Sequence, residues 1–146
     1  EGDVRLGVIG YEGSRLRNLG KYPLLTGADN IPIIRYEEVV LTYAEALLET
    51  GDAASALTYL NSITSNRNAQ PYSSATKANI LLERRREFAF EGIRWDDMMR
   101  TGMDAQAFTQ DEVLVKTLTF PNVKFALPIP ASEMDANSNM VQNASY

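Results

Sequence analysis

The sequence predicts a mainly α-helical chain, with antiparallel helix pairs at its centre and irregular, loop-rich arms on either side. Three observations carry this expectation. Nine glycines and six prolines cluster toward both ends, and Pro71 is the one proline between Tyr36 and Arg100. Apolar side chains from Tyr36 to Ile63 recur at steps of three or four residues, the period of one helical face. Two such runs are separated only by the few residues around Gly51 and Asp52, a connection short enough to force neighbouring helices antiparallel.

In chain order, residues 1–30 are glycine-rich (Gly2, Gly7, Gly10, Gly13, Gly20, Gly27) with short apolar pieces such as Val4–Ile9, and read as loop with a strand or two. The first clear helix is expected over Tyr36–Glu49, where Tyr36, Val40, Tyr43, Ala44 and Leu47 share a face. Gly51 is placed to end it in a left-handed cap, and Asp52 to N-cap a second helix from about Ala53 to Ile63. That helix carries Ala53, Ala56, Leu57, Leu60 and Ile63 on one stripe, and the small residues Ala44 and Ala56 let the pair approach closely. Residues 65–76 are polar and contain Pro71, so they read as a loop. Thr76 is a candidate N-cap for a helix from Lys77 to about Glu91, ended by Gly92. A shorter helix from about Arg94 to Arg100 follows, ended by Gly102. Residues 103–127 look loosely structured with one strand-like run at Val113–Phe120. Pro128 and Pro130 then enforce an extended path, and Ser132 can cap a single turn over Glu133–Asp135.

Composition bounds the chemistry. The chain has 146 residues, 45% of them apolar and 23% charged, with a net charge of −5. A domain of this size buries roughly 70% of the surface its unfolded chain exposes. The chain holds no histidine, which removes Ser-His-Asp catalysis and His-based zinc sites. It holds no cysteine, which removes thiol catalysis, thiolate metal sites and disulfides while leaving the compartment open. The negative charge disfavours nucleic acid, where affinity rests on neutralising phosphates. No apolar run approaches the ~18 residues that span a bilayer, and no signal peptide is present. The start at Glu1-Gly2-Asp3, without methionine, predicts the downstream part of a longer protein.

The most informative stretch is Glu83–Gly102, ERRREFAFEGIRWDDMMRTG. Its five arginines (Arg84, Arg85, Arg86, Arg94, Arg100) are matched by five acids (Glu83, Glu87, Glu91, Asp96, Asp97). Local neutrality of this kind argues for ion pairing beside a core rather than for a phosphate-binding surface. We expect Arg84, Glu87, Arg94 and Asp97 to form a buried charged network, and Trp95 to be buried among Phe88, Phe90, Ile93, Met98 and Met99.

The pattern E-R-x-x-E-F-x-x-E-G-x-R-W-x-D-x-x-R-x-G closely resembles the signature of the SusD/RagB family, glycan-binding lipoproteins on the outer membranes of Bacteroidetes. It is carried here by Glu83, Arg84, Glu87, Phe88, Glu91, Gly92, Arg94, Trp95, Asp97, Arg100 and Gly102. Asp3-Val4-Arg5 and Lys21-Tyr22 resemble the D-x-R and K-Y/F elements that precede the last helices of that family. Leu127-Pro-Ile-Pro and the later Gln142-Asn143-x-x-Tyr146 resemble its C-terminus, with Ala144 and Ser138 standing where prolines are usual. The helix pair at 36–63 is also similar to a tetratricopeptide (TPR) repeat. One copy is present, whereas about three are needed to bury a continuous core. Partner helices are therefore expected in other sequence, upstream or in the Glu83 segment.

The resemblance implies one C-terminal region over residues 1–146: a loop-rich arm (1–34), TPR-like helices (35–102) and an extended C-terminal arm (103–146). It implies a non-catalytic glycan-binding component without cofactors, partnered by a SusC-like TonB-dependent transporter and by an oligosaccharide or polysaccharide ligand. Its place would be the outer face of the outer membrane, anchored through an N-terminal lipidated cysteine outside this chain. Two other functions stay open, a generic TPR-type protein-interaction scaffold and, less favoured, a glycoside hydrolase.

The individual residues decide little between these readings. Glu83, Glu87 and Glu91 stand four apart and line one helix face. Glycoside hydrolysis needs two carboxyl groups about 5–9.5 Å apart that flank a bond. Acids on adjacent turns of one helix point the same way, so binding to Arg84, Arg94 and nearby backbone is the preferred role. No catalytic residue is assigned. No metal ligand is assigned either, because Glu133, Asp135, Asn137 and Asn139 fit no EF-hand spacing. Tyr11, Tyr72 and Phe108 lie in loops and are weak candidates for stacking on a sugar, each with ordinary packing as the simpler role.

Overall fold

The computed structural model describes residues 2–12, 15–24, 26–109, 113–144 and 146, and of residues 9, 11, 12 and 15–17 the backbone. The chain is mainly helical and divides into two compact units, Glu1–Asp97 and Met98–Tyr146.

In the first unit a 3₁₀ turn (Val4–Val8) leads into an antiparallel hairpin of β1 (Ile9–Glu12) and β2 (Arg15–Asn18), with Ile9 opposite Asn18. Helices α1 (Tyr36–Glu49), α2 (Ala53–Asn66) and α3 (Lys77–Glu87) follow, then α4 (Ile93–Thr101), which belongs to this unit as far as Asp97. The α1–α2 turn forms as its residues dictate. Gly51 takes φ +94°, open to glycine without steric penalty, and the Asp52 carboxylate accepts from the Ser55 N–H at 3.0 Å. Thr76 caps α3 in the same way, accepting from the Asn79 N–H at 3.1 Å.

The core is built by Val40, Leu41 and Ala44 of α1, Leu60 and Ile63 of α2, Ile80 of α3, and Phe88 beyond it. Each fully buried leucine or isoleucine contributes about 1.5–3 kcal/mol. Ala44 and Ala56 are both fully buried, as close approach of the antiparallel pair requires, and the Tyr43 and Tyr59 rings meet edge to face at 4.9 Å. Arg84, Arg85 and Arg86 fall in the last turn of α3, where cations complement the helix dipole.

Helix α3 stops at Glu87, one turn short of the expected end. The Phe88 N–H closes the last turn on the Arg84 carbonyl at 2.9 Å, and the backbone then turns left-handed at Phe90 (φ +68°) and Gly92 (φ +83°). Only Gly92 announced this break. A left-handed phenylalanine is held by its surroundings rather than chosen by local preference.

The second unit contains an antiparallel hairpin, β3 (Ala105–Phe108) and β4 (Leu114–Leu118), with an irregular register at Ala107 and Phe108. The strand-like run was expected; its partner strand, four residues long, was not. A short 3₁₀ turn (Val123–Phe125) buries Phe125, whose ring lies 5.5 Å from Phe120. Helix α5 (Ala131–Ala136) starts after Pro130, so Ser132 lies inside its first turn instead of capping it. The extended Leu127–Pro130 segment is fastened by amides. Gln142 accepts from the Ile129 N–H at 2.8 Å and donates to the Ile129 carbonyl at 2.9 Å, while the Asn143 amide donates to the Leu127 carbonyl. Gln142 thus satisfies both backbone groups of a residue that prolines on either side keep out of any ladder.

Candidate functional site

Glu83, Glu87 and Glu91 form a ladder of carboxylates at the end of α3 and in the turn after it. Their partners come from distant parts of the first unit. Arg5 donates to Glu83 at 2.6 Å and to Glu87 at 3.1 Å, and is itself held by Asp3 at 2.8 Å. Arg35 donates to Glu87 at 2.7 Å and to Glu91 at 2.9 Å. Arg67 bridges Glu87 at 2.8 Å and Glu37 at 2.6 Å. Lys21 binds the Glu91 carboxylate and donates to the Glu87 carbonyl at 2.6 Å. Tyr72 donates its hydroxyl to Glu83 at 3.1 Å. The Asp3-x-Arg5 and Lys21 elements of the sequence are therefore the hands that grip α3.

This arrangement keeps Glu87 charged. Burial opposes the charge on Glu87, but hydrogen bonds from Arg67 and Arg35 and their charges overcome it and hold the carboxyl at about 2. On Arg35, burial works against the charge while Glu91 and Glu87 push the guanidinium above its ordinary value. Burial, aided by the neighbouring Glu83 charge, pushes the Tyr72 hydroxyl up to about 12. A general acid needs a proton to give near neutral pH, which a carboxyl held at about 2 does not have. A cavity of about 400 Å³ borders the ladder, lined by Val4, Arg5, Lys21, Arg35, Arg67 and Glu87 among others. Its cations are already matched by carboxylates.

A separate pair lies on the other side of Phe88. Arg84 donates to both oxygens of Asp97, at 3.0 and 2.9 Å, with both residues buried. The Phe88 ring meets two guanidiniums, with Arg35 4.5 Å and Arg84 5.3 Å from its centroid, a cation–π contact with each. The expected four-residue network is thus two networks: Glu87 belongs to the ladder, Arg84 and Asp97 to each other. Arg94 joins neither. The cations that fill the ladder come from turns and helices far away in sequence, which spacing within Glu83–Gly102 could not reveal.

The expectation for Trp95 is also corrected, since it is 41% exposed. Asp97 faces inward from α4, and a residue two positions away on a helix points to nearly the opposite side. Among the stacking candidates, Tyr72 packs against the core cluster with its hydroxyl on Glu83. Phe108 is exposed on β3. The Tyr11 side chain lies outside the described residues.

One feature went unread in the sequence. Ile33, Ile34, Tyr36, Val39 and Tyr43 are all exposed. A shallow groove of about 430 Å³ runs along α1, lined by Ile34, Glu38, Val39, Thr42, Tyr43 and Ala46. The signal was available, because α1 carries Val39, Tyr43 and Ala46 on one side and Val40, Leu41 and Ala44 on the other. A helix apolar on two faces packs on two sides.

Residues 17–146 match the SusD family. The chain is 30% identical to the starch-binding protein SusD of Bacteroides thetaiotaomicron over 125 residues, 80% of this chain and 22% of that protein. Its fold matches a solved protein of Bacteroides vulgatus with a TM-score of 0.81 and 36% identity, covering 99% of this chain and 36% of the other. It matches surface glycan-binding protein A of Bacteroides thetaiotaomicron with a TM-score of 0.66 and 30% identity, covering 80% of this chain and 25% of the other. The chain therefore spans about a fifth to a third of the length of these relatives. The family model covers most of the sequence, and the chain belongs to the SusD family.

Proposed function

We propose that the chain is part of a non-catalytic glycan-binding protein that serves oligosaccharide uptake at the outer membrane. The observation that carries this reading is membership of the SusD family together with relatives named for starch and surface-glycan binding. The protein would sit on the outer face, lipid-anchored, beside a TonB-dependent transporter. In this reading residues 35–102 mainly supply scaffold: the acidic ladder fixes the 1–34 arm to α3, and the apolar strip of α1 receives further helices from the part of the SusD-family chain that this sequence does not span. Sugar contact falls to exposed aromatic side chains, which present a large apolar face. Phe108 suits that role by exposure, and Tyr11 and Tyr72 stay as weaker candidates.

A mild-detergent pull-down of the tagged full-length protein from its own outer membrane tests the reading. Recovery of a large β-barrel transporter in near-equal amount, with glycan binding by the purified protein, is the expected result. A soluble peptide partner and no affinity for any glycan would favour a TPR-type interaction scaffold instead.

A further inference from the structure

Beside the Arg84–Asp97 pair lies a notch of about 220 Å³, lined by Arg85, Phe90 and Arg94 together with Arg84, Phe88 and Asp97. It differs from the rest of the signature segment in its charge balance. Arg5, Lys21, Arg35, Arg67 and Arg84 are each paired with a carboxylate, and Arg86 donates to the Tyr72 hydroxyl at 3.2 Å. Among the described residues, neither Arg85 nor Arg94 makes a hydrogen bond or an ion pair. Asp97, the acid nearest to hand, has both oxygens taken by Arg84. Burial and the facing Arg85 charge hold the Arg94 guanidinium below its ordinary value, with Asp97 offsetting them in part. The notch thus holds three guanidiniums, of Arg84, Arg85 and Arg94, against the single carboxylate of Asp97, and keeps a net positive charge.

The third wall is Phe90, a non-glycine residue in the left-handed region, 44% exposed. Its strained backbone sets the ring at the rim of the notch instead of in the core, an arrangement that is found where a site uses the strain. The volume lies below the ~300–1,000 Å³ of a pocket for a drug-sized ligand, so the notch takes one sugar unit rather than an oligosaccharide. Guanidinium groups match carboxylates in planar, two-point hydrogen bonding, and an aromatic ring gives the sugar face a surface to rest on.

We propose that Arg85, Arg94 and Phe90 form a subsite for a uronate residue, so that the glycan bound is an acidic one. The inference rests on the glycan-binding reading and sharpens it. The two guanidiniums hold the carboxylate, and Phe90 packs on the ring carbons. Neutral sugars lack the group that offsets the paired positive charge.

Calorimetric titration of the full-length protein tests this, using oligogalacturonides and glucuronate-containing oligosaccharides, each beside its carboxyl-reduced neutral counterpart. The acidic form is expected to bind at least about tenfold tighter, a difference of about 1.4 kcal/mol. Arg94→Met and the more exposed Arg85→Met should each erase that preference by weakening binding of the acidic form, with the melting temperature unchanged. Equal affinity for acidic and neutral forms, or a preference that survives both variants, overturns the uronate subsite while leaving glycan binding intact. A melting temperature lowered by Arg94→Met would show that a carboxylate of the protein itself fills the notch, which also overturns it. Failure to bind any glycan would sink the broader reading along with the subsite.

Discussion

The two ends of the chain are fastened by different chemistry. In the first unit the N-terminal arm is held by charge: Arg5, Lys21, Arg35 and Arg67 converge on Glu83, Glu87 and Glu91. In the second unit the extended Leu127–Pro130 segment is held by the neutral amides of Gln142 and Asn143 on backbone groups. Both devices fix irregular chain where few apolar contacts are available, since Phe125 is the one buried hydrophobic side chain among the described residues of the second unit. They differ in what undoes them. Removing one member of a buried ionic cluster leaves the others without their counter-charge, whereas removing a neutral amide loses only ordinary hydrogen bonds.

The largest effect should follow Glu87→Gln. It keeps the shape but takes the charge that Arg5, Arg35 and Arg67 share. The expected loss is about 3–5 kcal/mol, read as the shift in urea midpoint at constant slope. Gln142→Ala should be milder, about 1–3 kcal/mol for its two hydrogen bonds to Ile129, and local, appearing as faster amide exchange at Ile129. Tyr72→Phe removes the hydroxyl from Glu83 and should lower stability by about 0.5–1.5 kcal/mol. Arg94→Ala is expected to change stability by less than about 0.5 kcal/mol, as for a residue with no hydrogen bond or ion pair among the described residues. A loss as large as that of Glu87→Gln would place Arg94 in a network after all.

Acid separates the two clamps further. The Glu87 carboxyl is held at about 2 against an ordinary 4.5, with Asp3 and Glu37 also held low. A depressed carboxylate contributes its full stability above its unfolded value and loses it as pH falls through the folded one. The first unit should therefore weaken between about pH 4.5 and 2. Because Gln142 does not titrate, the difference between wild type and Gln142→Ala should stay flat over that window. A pH-independent wild-type stability would contradict the ionic clamp.

Much of the scaffold was legible because it is local. The bounds of α1, the Gly51–Asp52 turn, the Thr76 cap and the small pair Ala44 and Ala56 all follow from neighbours a few residues away. The end of α3 did not, because a left-handed phenylalanine runs against local preference and no sequence signal marks it. The ladder was half legible. The spacing of Glu83, Glu87 and Glu91 put them together, but their partners Arg35 and Arg67 lie 52 and 20 residues from Glu87, beyond any helical period. Trp95 was misplaced because large aromatic side chains are usually covered, while its register on α4 sets it opposite Asp97.

The most direct test of the ionic clamp is a double-mutant cycle between Glu87→Gln and Arg67→Met in the full-length protein, read by urea unfolding. Two residues of one buried network should couple by about 1–3 kcal/mol, so that the second substitution costs far less once the first is made. Simple additivity of the two losses would show that Glu87 and Arg67 act independently and that the ladder is not what fastens the arm.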